Sequence, residues 1–336
     1  MRNTQKFNWL SIFSLGLLIF VAIGCRSLSD LSSGNSNIFQ SNTTVYPNNG
    51  TKPVENSLKG KANLYIKSCV NKYSDDVLRN FDDYKEWVKD LEKGPTGKET
   101  SVQTGSQIST DGQDCVDAIN QAKNLNPDLP DVEAHAERYG ETLKEVVAKI
   151  NDIYPYYSRG DYKDDKFARA KAAHPALLKA YQDFQAADKT FQVDIDKLED
   201  EVAQNDLKEF GDSPDNRYQY LVVETGIKSK KILKEVDKPS FSDLDADTLQ
   251  PLIDDFAKSV DELKAAKETV KSTPSVSVSM YPSACEDFLK STKELMRRVR
   301  DKKPFSSMDL NMGDMTEGTP QNIVRKYNDM IRYRNF

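Results

Sequence analysis

The chain of 336 residues holds two histidines, His135 and His174, and none of its four cysteines stands in a C-x-x-C pair. Histidine is the usual general base and metal ligand near neutral pH, so its scarcity leaves few ways to assemble acid–base or metal chemistry, and the cysteine spacing excludes a thioredoxin-like redox motif. No apolar run reaches the roughly 20 residues that a membrane-crossing helix needs; the longest, Trp9 to Ile23, has about 15. A basic excess is also missing: without residues 1 to 24 the chain carries 45 Lys and Arg against 53 Asp and Glu, a net charge of −8, which argues against nucleic acid. No nucleophile, paired acid and base, or ligand set can be assembled from what remains, so the expectation is a protein that is not an enzyme and holds no metal and no cofactor.

What is present begins at the N-terminus. Arg2 and Lys6 precede the apolar run, and Ala22-Ile23-Gly24 leads into Cys25. That order of charge, apolar stretch and small residue before a cysteine is what bacterial lipoprotein processing reads, and it makes Cys25 the acylated first residue of the mature chain. Residues 1–24 are then a signal peptide, the protein is anchored rather than spanning, and its address is the bacterial cell envelope. Arg26, where Asp would favour retention at the inner membrane, points to the outer one. Residues 26 to 57 are Ser, Asn, Gly, Thr and Pro with few apolar side chains, a composition that cannot offset the entropy of ordering. Residues 25–57 therefore read as a lipidated cysteine and a flexible tether, about 30 Å in mean span.

From residue 58 to 336 the period is helical. Ala62, Ile66, Cys69, Tyr73, Val77, Phe81, Tyr84, Val88 and Leu91 step by threes and fours, which predicts one long amphipathic helix ending at Gly94-Pro95. A polar loop and a short helix around Cys115 to Ala122 follow, and then Val132, Ala136, Tyr139, Leu143, Val146, Ile150 and Ile153 form a coiled-coil-like seam. The next stripe, Phe167 to Val202, predicts a helix from Asp161 to about Phe210, about 70 Å long, with Asp188 interrupting it. Further segments at Tyr218–Val236, Leu249–Val270, Phe288–Val299 and Ile323–Ile331 are separated by Pro or Gly. The fold class is all-α: an elongated antiparallel helical bundle with long amphipathic helices, in one domain.

Tyr154-Pro155-Tyr156-Tyr157 followed by Gly160-Asp161-Tyr162-Lys163-Asp164-Asp165-Lys166-Phe167, with Asn63-Leu64-Tyr65-Ile66 and Asn71 near the start and Lys326-Tyr327-Asn328 near the end, resembles the YiiG-like family of bacterial lipoproteins. The resemblance covers most of the mature chain. It implies an all-helical envelope lipoprotein of unassigned activity, and it carries over no catalytic residues. Physically, Gly160 permits a turn and Asp161, Asp164 and Asp165 suit the first turn of a helix. The sharper alternative is a ligand-binding surface made by Tyr154, Tyr156, Tyr157, Asp161, Tyr162, Asp164 and Asp165; D-x-x-D-D lacks the alternating ligands of a calcium loop.

His174 sits on the apolar stripe before Pro175, and His135 flanks the preceding seam; a hairpin through the Tyr154–Asp165 turn places them some 15 Å apart, as interior or boundary histidines. In an exported protein one disulfide is expected among Cys69, Cys115 and Cys285. Cys115 and Cys285 both begin helices of the same direction in an up-and-down bundle, which favours that pair. Arg297 to Lys303 is a basic cluster at a helix end, where cations complement the helix C-terminus or meet anionic headgroups. Met308, Met312 and Met315, beside Asp309 and Asp314, read as incidental methionines of a mobile loop, with soft copper(I) as the alternative.

The functional expectation is a lipid-anchored, non-enzymatic binding or scaffold module of the envelope that meets a protein or glycan partner. The alternative is a ligand or metal-ion receptor with its site near the Tyr154–Asp165 turn.

Overall fold

The computed structural model describes residues 55–103, 105–211, 213–238, 240–268 and 276–334. The expected signal peptide, the expected lipid acceptor Cys25 and the expected tether as far as residue 54 lie outside the described residues. Among those described there are ten α-helices and no strand, so the all-α class holds. No helix among them is long and apolar enough to cross a membrane.

The chain divides into two compact units, with the boundary between Val202 and Ala203. Where the sequence reads as one continuous bundle, each unit has its own hydrophobic core.

In the first unit, α1 (Leu58–Tyr65) starts where the Ser57 hydroxyl accepts from the Gly60 N–H. It runs through a π-helical segment, Ile66–Ser74, into α2 (Asp75–Trp87). Next come α3 (Gln113–Lys123), α4 (Pro130–Arg159) and the long α5 (Ala168–Phe210), which belongs to this unit as far as Val202. Their stripes meet: Tyr65 and Tyr139 both face Phe191, with ring centroids 5.4 and 5.2 Å apart, and Phe81 stacks on Tyr181 at 4.7 Å. The contacts of α2 and of α4 with α5 both run antiparallel, so α2 and α4 lie parallel to each other, as Trp87 against Tyr157 and Ser74 against Tyr139 attest.

Two parallel helices need a return leg, and residues 88–103 and 105–112 provide it without regular structure. Gln103 reaches Asp83, Ser106 reaches Asn80, and Thr110 reaches Tyr73, so the segment retraces α2. It therefore delivers Cys115 to the level of Cys69. The structure joins Cys69 to Cys115, Cα–Cα 4.8 Å, and leaves Cys285 a buried free thiol. The expected Cys115–Cys285 bridge is corrected for this reason: it assumed that an up-and-down hairpin leaves Cys115 at a bundle end, whereas the irregular segment makes the return trip itself, and Cys285 lies in the other core.

The second unit is a closed four-helix arrangement of α6 (Arg217–Val236), α7 (Ala246–Lys267), α8 (Val276–Arg300) and α10 (Pro320–Arg334), with contacts α6 to α7, α7 to α8, α8 to α10 and α10 to α6. Asp245 caps α7 by accepting from Asp247 and Thr248 N–H groups. Ile253, Phe256, Val260, Leu263, Phe288 and Ile323 are fully buried, and each such side chain contributes about 1.5–3 kcal/mol. The five-residue α9 (Ser307–Asn311) lies between α8 and α10 in sequence.

Candidate functional site

Side-chain amides hold the return segment against the groove between α2 and α4. Asn151 accepts from the Ile108 N–H at 3.1 Å and donates to the Ile108 carbonyl at 2.9 Å, the pairing that a neighbouring strand would give. Asn80 donates to the Ser106 carbonyl at 3.1 Å, and Gly105 comes so close that a Cβ there would stand 1.9 Å from Asn80 Oδ1. Only glycine allows that approach.

Beneath this strap is a cavity of about 30 Å³, lined by Asn80, Tyr84 and Trp87 from α2, Tyr154 and Tyr157 from α4, and Tyr181 from α5 among others. It accommodates a water or two, since a water needs about 10–15 Å³, and it is far from the roughly 300–1,000 Å³ of a ligand pocket. The Trp87 indole Nε1 is buried without a hydrogen-bond partner. Burial pushes the Tyr84, Tyr157 and Tyr181 hydroxyls above their ordinary value. They stay protonated and offer O–H donors rather than bases.

The seven residues singled out in the sequence do not gather round one cavity. Tyr154 and Tyr157 line the space under the strap, while Tyr156 is buried and gives its hydroxyl to Asp165 at 2.7 Å. Asp165 also accepts from the Ala168 and Arg169 N–H groups and so caps α5, which explains why α5 starts at Ala168 and not at Asp161. Asp161 to Lys163 forms a 3₁₀ turn after Gly160, whose φ of +80° ends α4. Asp161 pairs with Arg159 at 2.9 Å, Tyr162 packs on Phe167 with centroids 4.9 Å apart, and Asp164 is exposed.

The histidines stand apart. His135 Nδ1 lies 2.6 Å from Asp194 on the rim of the seam. His174 is buried, with Nε2 2.8 Å from the Leu91 carbonyl and Nδ1 2.7 Å from the Tyr84 hydroxyl. A carbonyl only accepts, so Nε2 carries the hydrogen, and in the neutral ring Nδ1 accepts from Tyr84. This histidine ties the start of the strap to the core. Among the described residues no group of three or more His, Cys, Asp or Glu side chains could hold a metal ion.

One polar cluster was not foreseen. Asp188, expected at a frayed or hydrated stretch, is buried, and it accepts from Ser74 Oγ at 2.6 Å at the end of the π-helical segment. Ser74 also meets the Tyr139 hydroxyl at 3.0 Å, which burial, then the charge of Asp188, push well above its ordinary value. A π-helical segment often marks a place where function constrains a helix. The sequence signal was a polar residue inside each of two apolar stripes, Ser74 and Asp188, readable only once the two helices are known to pair.

The helical units and the strapped aromatic groove define an all-α protein. The chain belongs to the family described as Protein of unknown function (DUF3829), whose model matches residues 56–335. It is similar to the uncharacterized protein YiiG of Escherichia coli strain K12, 27% identical over 278 residues that cover 81% of this chain and 76% of that protein. No solved structure matches.

Proposed function

We propose that this protein is a lipid-anchored component of the bacterial cell envelope, held at the outer membrane through Cys25, whose helical units serve as a non-enzymatic binding or scaffold module. The observation that carries the reading is the order of Arg2, Lys6, the apolar run Trp9 to Ile23 and Gly24-Cys25. Support for a binding role comes from the wide charged helical faces round two closed cores, which suit contact with a protein or glycan rather than turnover of a substrate. The test is expression of the full chain and of Cys25→Ala, followed by membrane fractionation and mass spectrometry of the N-terminal peptide. The reading expects an acylated Cys25 with residues 1–24 removed in the unaltered chain, and no acyl group with residues 1–24 still attached in the variant. An unmodified Cys25 in the unaltered chain, or removal of residues 1–24 from the variant, would overturn it.

A second reading keeps a small-ligand receptor but moves its site from the Tyr154–Asp165 turn to the groove under the strap. It is favoured by one observation, the unpartnered Trp87 indole N–H in a wall of tyrosine hydroxyls and amides. Because the space is water-sized, binding there requires the strap to lift.

A further inference from the structure

Six methionines follow Met1, and three of them fall within eight residues: Met308, Met312 and Met315. Met296 and Met330 are buried, as an apolar side chain in a closed bundle should be; Met280 stands alone at 42% exposed, whereas these three are neighbours, 71%, 42% and 75% exposed. The segment is not the mobile loop that the sequence suggests. Ser306 caps α9 through a reciprocal capping box with Asp309, and the coil continues past the helix: the Met312 N–H donates to the Met308 carbonyl at 3.1 Å and the Met315 N–H to the Met312 carbonyl at 2.9 Å. Its far end is fixed to α10, where Asn322 and Arg325 donate to the Asp314 carbonyl at 2.7 and 3.1 Å.

The hydrogen bonds from the Met312 and Met315 N–H groups keep Met308, Met312 and Met315 on successive turns of one continuing coil, each about a turn from the next, although the regular helix ends at Asn311. A thioether on three rotatable bonds then has the reach to converge on one ion. Thioether sulfur is a soft ligand that suits Cu(I) and not Zn²⁺, Mg²⁺ or Ca²⁺. Of the two carboxylates in the segment, that of Asp309 is already occupied, accepting from Ser306 N and Oγ, both at 2.8 Å, and facing Arg298 at 3.8 Å, which leaves Asp314 as the exposed hard donor.

The geometry points to a surface site for a soft monovalent cation, Cu(I) or its redox-inert analogue Ag(I), formed by the sulfurs of Met308, Met312 and Met315. It rests on different residues from the groove under the strap. Because thioethers do not titrate, affinity is flat between about pH 5 and pH 8, unlike that of a site built from Cys, His or carboxylate.

The test is titration of residues 26–336 with Ag(I) by native mass spectrometry and calorimetry, at two pH values, using ¹³C-methyl methionine NMR as the reporter. The proposal expects one ion per chain, shifts confined to three methyl groups with those of Met296 and Met330 unmoved, and equal affinity at both pH values. In Met308→Leu/Met312→Leu/Met315→Leu, affinity falls by more than the roughly 10–100-fold that outer-shell partners alone carry, and the thermal melt is unchanged because the side chains are exposed. Cys285→Ala retains the site. Binding that survives the triple variant, disappears in Cys285→Ala, varies with pH, or moves no exposed methyl overturns the proposal, and the NMR arm on the unaltered chain decides even if the variant fails to fold.

Discussion

Ser74 and Asp188 meet at 2.6 Å in the interior of the first unit, joining the end of the π-helical segment to the middle of α5. A buried carboxylate is stable only where donors surround it, so removing one costs the desolvation it had offset. Ser74→Ala is therefore expected to destabilise by about 1–3 kcal/mol. Urea unfolding checks this, and an effect inside the error of the measurement would show that Asp188 does not depend on Ser74.

The Cys69–Cys115 bridge closes a 46-residue separation, and its loss is expected to cost about 4 kcal/mol on the chain-entropy account. The free thiol is Cys285, and burial pushes it up to about 12. Residues 26–336, unreduced, should give no reaction with a thiol reagent when native and one thiol per chain in guanidinium. Peptide mapping that finds the label on Cys69 or Cys115 would contradict the pairing.

Trp87 is the one tryptophan of residues 26–336, the other being Trp9, and it lines the cavity under the strap. Its emission therefore reports on that groove alone. Asn80→Ala and Asn151→Ala release two of the strap's anchors, and each should red-shift the emission and raise acrylamide quenching while far-UV dichroism stays constant. Unchanged quenching in both would mean that other contacts hold the strap.

The Tyr156 hydroxyl, then the backbone N–H groups of α5, hold the Asp165 carboxyl below its usual range. Its folded value is depressed, so the stabilisation is present above the unfolded value of about 3.9 and is lost as pH falls through the folded one. The stability gap between the unaltered chain and Asp165→Ala should thus be full at neutral pH and shrink below about pH 4. Denaturant midpoints at neutral and acid pH measure it; a gap constant with pH would assign the effect of Asp165 to something other than its charge.

The helices were legible because their stripes are long. Val132 to Ile153 falls inside α4, Tyr218–Val236 is nearly the whole of α6, and Ile323, Tyr327 and Ile331 lie in α10. What could not be read was the route between them. Residues 88–94 read as the end of the first helix, which stops instead at Trp87, and 97–112 as a polar loop, yet this stretch decides which cysteines meet and what covers Tyr154 and Tyr157, and it is fixed by Asn80 and Asn151, whose amides carry no periodic signal. The π-helical segment was hidden for a related reason: steps of three and four from Ile66 to Val77 satisfy an α-helix as well.

The bridge between Cys69 and Cys115 joins cysteines that follow each other along the chain, with Cys285 the last to appear. If the chain is exported N-terminus first, as proposed, the two partners reach the oxidising side before Cys285 does, and order of arrival alone favours the pairing seen.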